Sequence, residues 1–467
     1  MSLSLDCSRK INYNIGWIII VKGLAFEKIR RGCRVGFFGL GKSNASLLSC
    51  LPLEGCSVTL RADREIDRTM IPKNVNLKAI YEGENSCQDI TEDVLIFSPS
   101  VRRERQELEE ARTRGVVFTS DAELFFEEND QTLFAVTGSD GKSTTTAMTE
   151  ALLKAGGHKA KAIGNIGEPM VESLKSKSNI FVAETSSFML QYAKPKASVC
   201  CITNISPNHL DWHKSFEEYK KTKISLVNNS GRFVISDECD EIKGAYGIVS
   251  LKKSIADLKS AYRANIYLTV EDDHLCLNGE RLIPINGIRR KERHNLQNLM
   301  MAIAMTNGYV DKGEIVRVAS EFSGLPHRCE LFFSADGIDY IDSSIDTSPA
   351  RTEQTLISLN REATVILGGR SKGLDYRTLA PSLQKFAGAA IITGENAKEI
   401  FCAIKGVVKC HVVPDLEAAV ITGKELAHST GLLLLSPASA SYDRYTSYAE
   451  RGEKFKDFVL KIHQKEQ

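Results

Sequence analysis

The stretch TGSDGKSTTT, Thr137 to Thr146, combines two glycines, a lysine and several hydroxyls between an apolar run, LFAV, and a segment with helical spacing, AMTEALLKAG. Gly138 and Gly141 let the backbone turn so that its N–H groups, with those of Ser139 and Asp140, aim at phosphate oxygens. The following helix adds its positive N-terminal end. Lys142 has the reach for β- and γ-phosphates, and Ser143 or Thr144 offers a hydroxyl to Mg²⁺. The common GxxxxGK[ST] pattern would need glycine at Val136, so this is a phosphate loop of different spacing.

Further on, NIFVAETSSF ends an apolar strand on Glu184, at the strand edge where open parallel sheets hold ligands. A carboxylate there is the hard oxygen ligand that Mg²⁺ prefers. TNISPNHLDWH follows the next apolar strand and brings His209, Asp211 and His213 to the same edge, and YKKTK sets Lys223 four residues after Tyr219 on one helical face. Near the start, GFFGLGKSN places Gly39 and Gly41 in a tight turn opening a helix, as in a dinucleotide fold, with Asn44 where a third glycine would stand.

The elements that must position these groups alternate between strand-like and helical patterns. CRVGFFGLG, CSVTLRA, VLIFSPS and VVFTSDAELF read as strand-like runs of parallel sheets with helices between them, which makes the fold class α/β. The polar EENDQ interrupts the rhythm near residue 128, and SGLPHR marks a second boundary. ATVILGG, AAIITG, KCHVVPD and GLLLLSPAS then restart it as a third α/β region. ANIYLTVEDDHLCLNGERLIPI alternates apolar and polar residues around EDD and NGE, the turn chemistry of a small antiparallel addition. With 467 residues, 42% hydrophobic, 25% charged and a net charge of +1, the composition is that of a soluble protein without bias toward nucleic acid or membrane. IGWIIIV is too short to span a bilayer, and twelve cysteines without a CxxC pair read as reduced thiols in a cytoplasm.

GNIG, ETSSF, NISPNHLDWH, YKKTK, HNLQN, LPHR, GGRSKGLDY and LLSPASASYDRY follow the phosphate loop in an order that resembles the Mur ligases. These are ATP-dependent amide-forming enzymes of peptidoglycan precursor synthesis, and the resemblance runs from about residue 32 onward. GNIG, SSF, LPHRCE and LLSPASASYDRY with its trailing ERG are most similar to the members that add D-glutamate to UDP-MurNAc-L-alanine. The resemblance implies three domains. Residues 1–128 would bind the UDP substrate, with 1–30 an extension of no assigned role. Residues 129–325 would bind ATP in a P-loop ATPase-like fold, and 326–467 would bind the amino acid in a Rossmann-like one. It implies a reaction too: ATP phosphorylates the precursor carboxylate, and the amine of D-glutamate attacks the acyl phosphate.

Residue roles carry over from that resemblance. Lys142, His209, Lys223 and Lys372 would be the catalytic set. Gly138, Ser139, Asp140, Gly141, Lys142, Ser143 and Thr144 would hold the ATP phosphates, Asn295 and Asn298 the adenine, and Arg328 the phosphates again. Ser143, Glu184, His209 and Lys223 would bind one or two Mg²⁺, with Lys223 carried as an N-carboxylate. Gly39, Leu40, Gly41, Lys42 and Ser43, together with Ser98 and Pro99 of SPSV, would hold the UDP diphosphate. Asp63 would take the uracil, although Arg61, Ala62 and Asp63 stand in competing registers, and Asn165 and Ser186 would contact the muramoyl group. Thr347, Lys372, Ser441, the backbone near Tyr442 and the ring of Tyr448 would form the D-glutamate pocket.

The chain departs from the family where an aspartate, serine and lysine usually precede the D-glutamate threonine. Here stand Ser343, Ser344 and Ile345, with the aspartate displaced to Asp342 or Asp346 and Arg351 as one alternative source of charge. Ser100 also stands where a glycine is usual. A family ligase for a different amino acid, a dehydrogenase built on GLGKSN, and a silent homologue that binds ATP without turnover are the competing expectations.

Overall fold

Val35, Phe37 and Phe38 are buried in a five-residue strand, with Val35 and Phe37 on one face and Phe38 on the other. Burial on both faces is what a parallel strand between helices requires. In the computed structural model, residues 23–464 are described, apart from 165–169, 210, 211, 240 and 372. Asn165, Asp211 and Lys372, as well as the first 22 residues of the extension, therefore lie outside the described residues.

The chain forms two compact units, the first ending at Ala319 and the second beginning at Ser320. The first unit carries two sheets. Strands β1 (Arg34–Phe38), β2 (Ser57–Ala62), β3 (Leu77–Glu82), β4 (Val94–Phe97) and β5 (Val117–Thr119) pair in the order β3-β2-β1-β4-β5, all parallel. The order reverses direction at β1, which opens a crevice at the carboxyl ends of β1 and β4.

The second sheet is built from β6 (Thr132–Thr137), β7 (Ala160–Gly164), β8 (Ile180–Glu184), β9 (Val199–Ile202), β10 (Arg232–Ser236), β11 (Gly247–Val249), β12 (Ile266–Glu271), β13 (His274–Leu277) and β14 (Glu280–Pro284). Its order is β14-β13-β12-β11-β10-β9-β6-β8-β7, so β6 lies between β8 and β9 and is again the reversal point. Strands β12 to β14 are the antiparallel addition expected from the sequence. Their turns use positive φ at Asp272 and Asp273 and at Asn278 and Gly279, the two-residue turn conformation that matches strand twist.

One run differs from the sequence expectation. VVFTSDAELF forms strand only over Val117–Thr119, because Ser120 accepts a hydrogen bond from the Glu123 N–H and starts a helix, Asp121–Glu128. Phe125 of that helix meets Phe181 of β8 edge to face at 5.3 Å, and one apolar cluster runs continuously through both sheets of the unit.

In the second unit, β15 (Glu330–Ala335), β16 (Ile338–Asp342), β17 (Ala363–Gly368), β18 (Ala387–Thr393), β19 (Cys410–Val412) and β20 (Leu432–Leu435) form a sheet ordered β15-β16-β20-β17-β18-β19. The run LLLL is its central strand. Leu432 and Leu434 join the cluster on one face, and Leu433 and Leu435 the cluster on the other. The loops after β16, β17 and β20 consequently leave the same edge.

The first sheet also buries an ion pair. Arg61 of β2 and Glu92 are 1% and 2% exposed, with Nε to Oε1 at 2.7 Å, and the guanidinium also donates to the carbonyls of Ser86, Gln88 and Asp89. Removing one partner strands the other charge in the core. Arg61→Met should lower stability by about 3–5 kcal/mol and Arg61→Met with Glu92→Met by much less, read from urea unfolding midpoints.

Candidate functional site

The phosphate loop leaves β6 at its carboxyl end and turns on two glycines. Gly138 has φ 148° and Gly141 φ 78°, and a Cβ on either would overlap a neighbour, Thr203 Oγ1 for the first and Asn298 Oδ1 for the second. The helix Lys142–Ala155 starts directly after Gly141 with no side-chain cap. The N–H groups of Lys142, Ser143 and Thr144 therefore lie in the helix's uncapped first turn, an anion site by construction.

The segment after β9 holds this loop in place. Asn204 accepts from the Ser139 and Asp140 N–H groups, through its carbonyl and its side chain, both at 2.9 Å. Ser139 Oγ exchanges hydrogen bonds with Ser206 and lies 2.9 Å from the Tyr219 hydroxyl. Thr203 Oγ1 donates to the Asp140 carbonyl. Thr203, Asn204, Ser206 and Tyr219, which stand near His209 and Lys223 in the sequence, thus shape the loop.

Two lysines converge on one carbonyl. Lys142 Nζ donates to the carbonyls of Gly138 (2.9 Å) and Ser139 (2.7 Å), and Lys223 Nζ donates to the same Gly138 carbonyl at 2.7 Å. Lys223 is 1% exposed on the helix Phe216–Asn228. Burial, reinforced by the neighbouring Lys142 charge and opposed by Asp140 and Glu184, pulls its pKa down to about 7. Glu184 ends β8 beside β6 and is buried. His209 sits on Phe188 at 4.9 Å with φ 53° in the left-handed region, its side chain exposed. His213 turns inward instead, between Phe188 and Tyr219, and burial lowers its pKa.

Asn295 and Asn298 lie on the helix Arg293–Met305 and are both buried. Asn295 donates to Glu292, while Asn298 accepts from Thr145 and abuts Gly141, so the second is a wall of the phosphate loop whatever else it contacts. In the first sheet, the turn of Gly39, Leu40 and Gly41 faces Ser98 across the β1–β4 crevice. A Cβ on Gly39 would meet Ser98 and Val101. Ser98 and Pro99 begin the neighbouring turn, Lys42 and Ser43 open the helix Lys42–Cys50, and Ser186 caps the helix Ser187–Tyr192 by accepting from Met189.

The residues in competing registers after β2 differ in burial. Arg61 and Ala62 are buried, and Asp63 reaches the surface. Its carboxylate is held at both oxygens by Arg105, at 2.7 and 2.5 Å, and by Ser86 at 3.0 Å, which pulls its pKa down.

In the second unit, Thr347 follows β16, Ser441 follows β20 and is buried, Tyr442 is half exposed, and Tyr448 begins the helix Tyr448–Gln464. Arg328 is exposed. Both displaced aspartates are engaged within the fold. Asp342 accepts from or pairs with His327 Nδ1 at 2.7 Å, and Asp346 accepts from Ser436 (2.7 Å) and Thr355 (2.8 Å). Arg351 donates to the Ile345 carbonyl at 3.1 Å from an exposed position, which sets a cation beside the residue that interrupts the family pattern.

The pattern for a Mur ligase middle domain matches residues 136–306. The UDP-N-acetylmuramoylalanine–D-glutamate ligase of Clostridium botulinum is 33% identical over 450 residues, covering 91% of this chain and 96% of that protein. Its counterpart from Clostridium beijerinckii is 32% identical over 461 residues, covering 94% and 98%. Among solved structures, a UDP-N-acetylmuramate-alanine ligase from Thermotoga maritima aligns over 93% of this chain and all of its own with TM-score 0.55 and 19% identity, a likeness of fold.

The Lys223 pKa sets a pH signature. An unfolded lysine titrates at about 10.4, so between pH 7 and 10 the folded chain binds fewer protons than the unfolded one, and stability rises with pH. Urea midpoints should therefore show the wild type gaining on Lys223→Met from pH 7 to 10, with a constant difference below pH 6. A flat difference throughout would mean that Lys223 titrates normally.

Proposed function

The chain belongs to the Mur ligase family, and on that premise we propose that it joins D-glutamate to UDP-N-acetylmuramoyl-L-alanine at the expense of ATP, in the cytoplasm, during peptidoglycan precursor synthesis. The end-to-end match carries this reading: a third of the residues are identical across nearly the full length of ligases named for that reaction. No helix among the described residues is long and apolar enough to cross a membrane.

The chemistry asked of the chain starts from an unreactive carboxylate. Phosphorylation by ATP makes it an electrophile, the D-glutamate amine attacks, and the tetrahedral adduct expels phosphate. Lys142 and the N–H groups at the start of its helix suit the β- and γ-phosphates, where negative charge moves during transfer. Gly138, Ser139, Asp140 and Gly141 shape that cradle, and Asn295 suits the adenine edge. Asn298 contributes by holding the loop. Arg328 is assigned to phosphate.

A divalent cation fits the donors present: the buried carboxylate of Glu184, the hydroxyl of Ser143, the imidazole of His209, and Lys223 once its amine is carboxylated. Mg²⁺ there would neutralise phosphate charge and polarise the transferring group. Lys223 favours carboxylation for a physical reason, since the neutral amine is the form that reacts with CO₂ and a pKa near 7 keeps much of it neutral. Its conversion to an anion would also relieve the repulsion from Lys142.

The turn of Gly39, Leu40, Gly41, Lys42 and Ser43 with Ser98 and Pro99 suits the UDP diphosphate, and Asp63 with Arg105 offers acceptor and donor groups to a uracil edge. Ser186 and Asn165 are assigned to the muramoyl group. Thr347, Lys372, Ser441, Tyr442 and Tyr448 are assigned to D-glutamate. Ile345 favours one alternative, a family ligase with a different amino acid, because the missing lysine alters the charge next to Thr347.

Phosphate release from ATP with UDP-MurNAc-L-alanine, measured against a panel of D- and L-amino acids, should rise with D-glutamate alone. Turnover with L-lysine or diaminopimelate on a longer precursor would sink the assignment. Lys142→Ala should abolish turnover with unfolding behaviour near that of wild type, because its ammonium contacts loop carbonyls rather than core. With ¹³C-bicarbonate, the wild type should show a carbamate carbon resonance that Lys223→Arg lacks; identical spectra would remove the carboxylated lysine.

A further inference from the structure

Arg451, in the first turn of the helix Tyr448–Gln464, is 3% exposed, and every hydrogen bond from its guanidinium ends on a neutral oxygen. Nε donates to Ser344 Oγ at 3.0 Å and Nη2 to the Ser344 carbonyl at 2.9 Å. Nη1 and Nη2 both reach the Ser439 carbonyl at 3.1 Å, and Nη1 reaches the Gly368 carbonyl at 3.4 Å. The three accepting residues lie at the ends of three different strands, Ser344 and Ser439 in the loops after β16 and β20 and Gly368 as the last residue of β17.

Each of those loops carries part of the pocket assigned to the amino acid. Ser344 lies three residues before Thr347, Ser439 two before Ser441, and Gly368 opens the turn leading toward Lys372. The fit is tight from the other side as well. Gly369 has φ 149°, and a Cβ there would press on Arg451 Nη1 and on the Ala440 carbonyl. Ser344 Oγ, which accepts from Arg451, donates at 2.8 Å to the carbonyl of Tyr448, so the helix start is drawn into the same knot.

A buried guanidinium without a carboxylate in hydrogen-bond contact is a poor way to stabilise a fold, since an apolar side chain of similar volume avoids the desolvation cost. Here burial pulls the Arg451 pKa down to about 10, against the pull of Asp443, Tyr445, Asp342 and Asp346 at longer range. The group remains a cation at neutral pH. Its planar fork does what a hydrophobic residue cannot: it fixes three backbone carbonyls relative to one another.

We propose that Arg451 is a positioning residue that locks the loops after β16, β17 and β20 into one arrangement and thereby sets the affinity for the amino-acid substrate. This rests on the assignment of that pocket to D-glutamate, and it adds a residue that touches no substrate.

The test uses the full chain with Arg451→Met and Arg451→Lys, the second keeping the charge but losing the fork. Steady-state kinetics should show the KM for D-glutamate raised tenfold or more in Arg451→Met and by an intermediate factor in Arg451→Lys, with the KM values for ATP and UDP-MurNAc-L-alanine within twofold of wild type. Amide hydrogen exchange should quicken together in the three loops while β17 and β18 keep their protection. A fall in kcat with all three KM values unchanged, or unaltered exchange in any of the three loops, overturns the proposal. If Arg451→Met does not fold, Arg451→Lys carries both readouts. A wild type inert to D-glutamate sinks the substrate assignment instead; the KM comparison then moves to the amino acid it accepts, and the loop exchange still decides the role of Arg451.

Discussion

One carbonyl oxygen, that of Gly138, takes a lysine from each side. Lys142 comes from the helix that follows the loop and Lys223 from a helix roughly eighty residues later, and the turn at Gly138 presents its carbonyl to both. Two ammonium groups at one oxygen are tolerable because β6 is flanked by β8, whose last residue is the buried Glu184, and because Asp140 stands within reach of Lys223. The neighbouring groups of the nucleotide edge keep that cluster fixed. Tyr219 and Ser139 close it, Asn204 and Thr203 hold the loop backbone, and Asn298 fills the space that a side chain at Gly141 would occupy.

What could be read in the sequence is what is local in the chain. Glycines, lysine and hydroxyls packed into ten residues announce a phosphate loop, and alternating apolar runs announce parallel strands, because both depend on neighbours a few residues away. EDD and NGE announced their turns for the same reason. The helix at Asp121 is masked in the sequence by the apolar run it continues, and what starts it is the hydrogen bond that Ser120 accepts from the Glu123 N–H. Pairings across long separations left no such trace. Asp63 meets Arg105 from 42 positions away and Arg451 meets Ser344 from 107, and neither motif spacing nor periodicity encodes such a distance.

The departures at residues 343–346 become intelligible in the same terms. Asp342 and Asp346 look in the sequence like stand-ins for a displaced ligand aspartate, but each is consumed by the fold, the first by His327 and the second by Ser436 and Thr355. Gly452 is required beside the first pair, since a Cβ there would overlap His327 and Asp342. The loop after β16 is therefore anchored through its acidic residues, with the exposed Arg351 set beside Ile345.

Asn44 stands where a third glycine would ordinarily let a helix approach its sheet. Its amide nitrogen donates instead to the carbonyls of Gly39 (2.7 Å), Phe38 (3.3 Å) and Ile96 (3.3 Å), lacing the turn after β1 to the end of β4. A turn tied at three points loses little conformational freedom when an anion arrives, so it works as a rigid socket. In the role proposed for it, such a socket would accept one diphosphate much as another, leaving discrimination among nucleotide sugars to the two ends of the ligand, the base and the sugar acid, rather than to its middle.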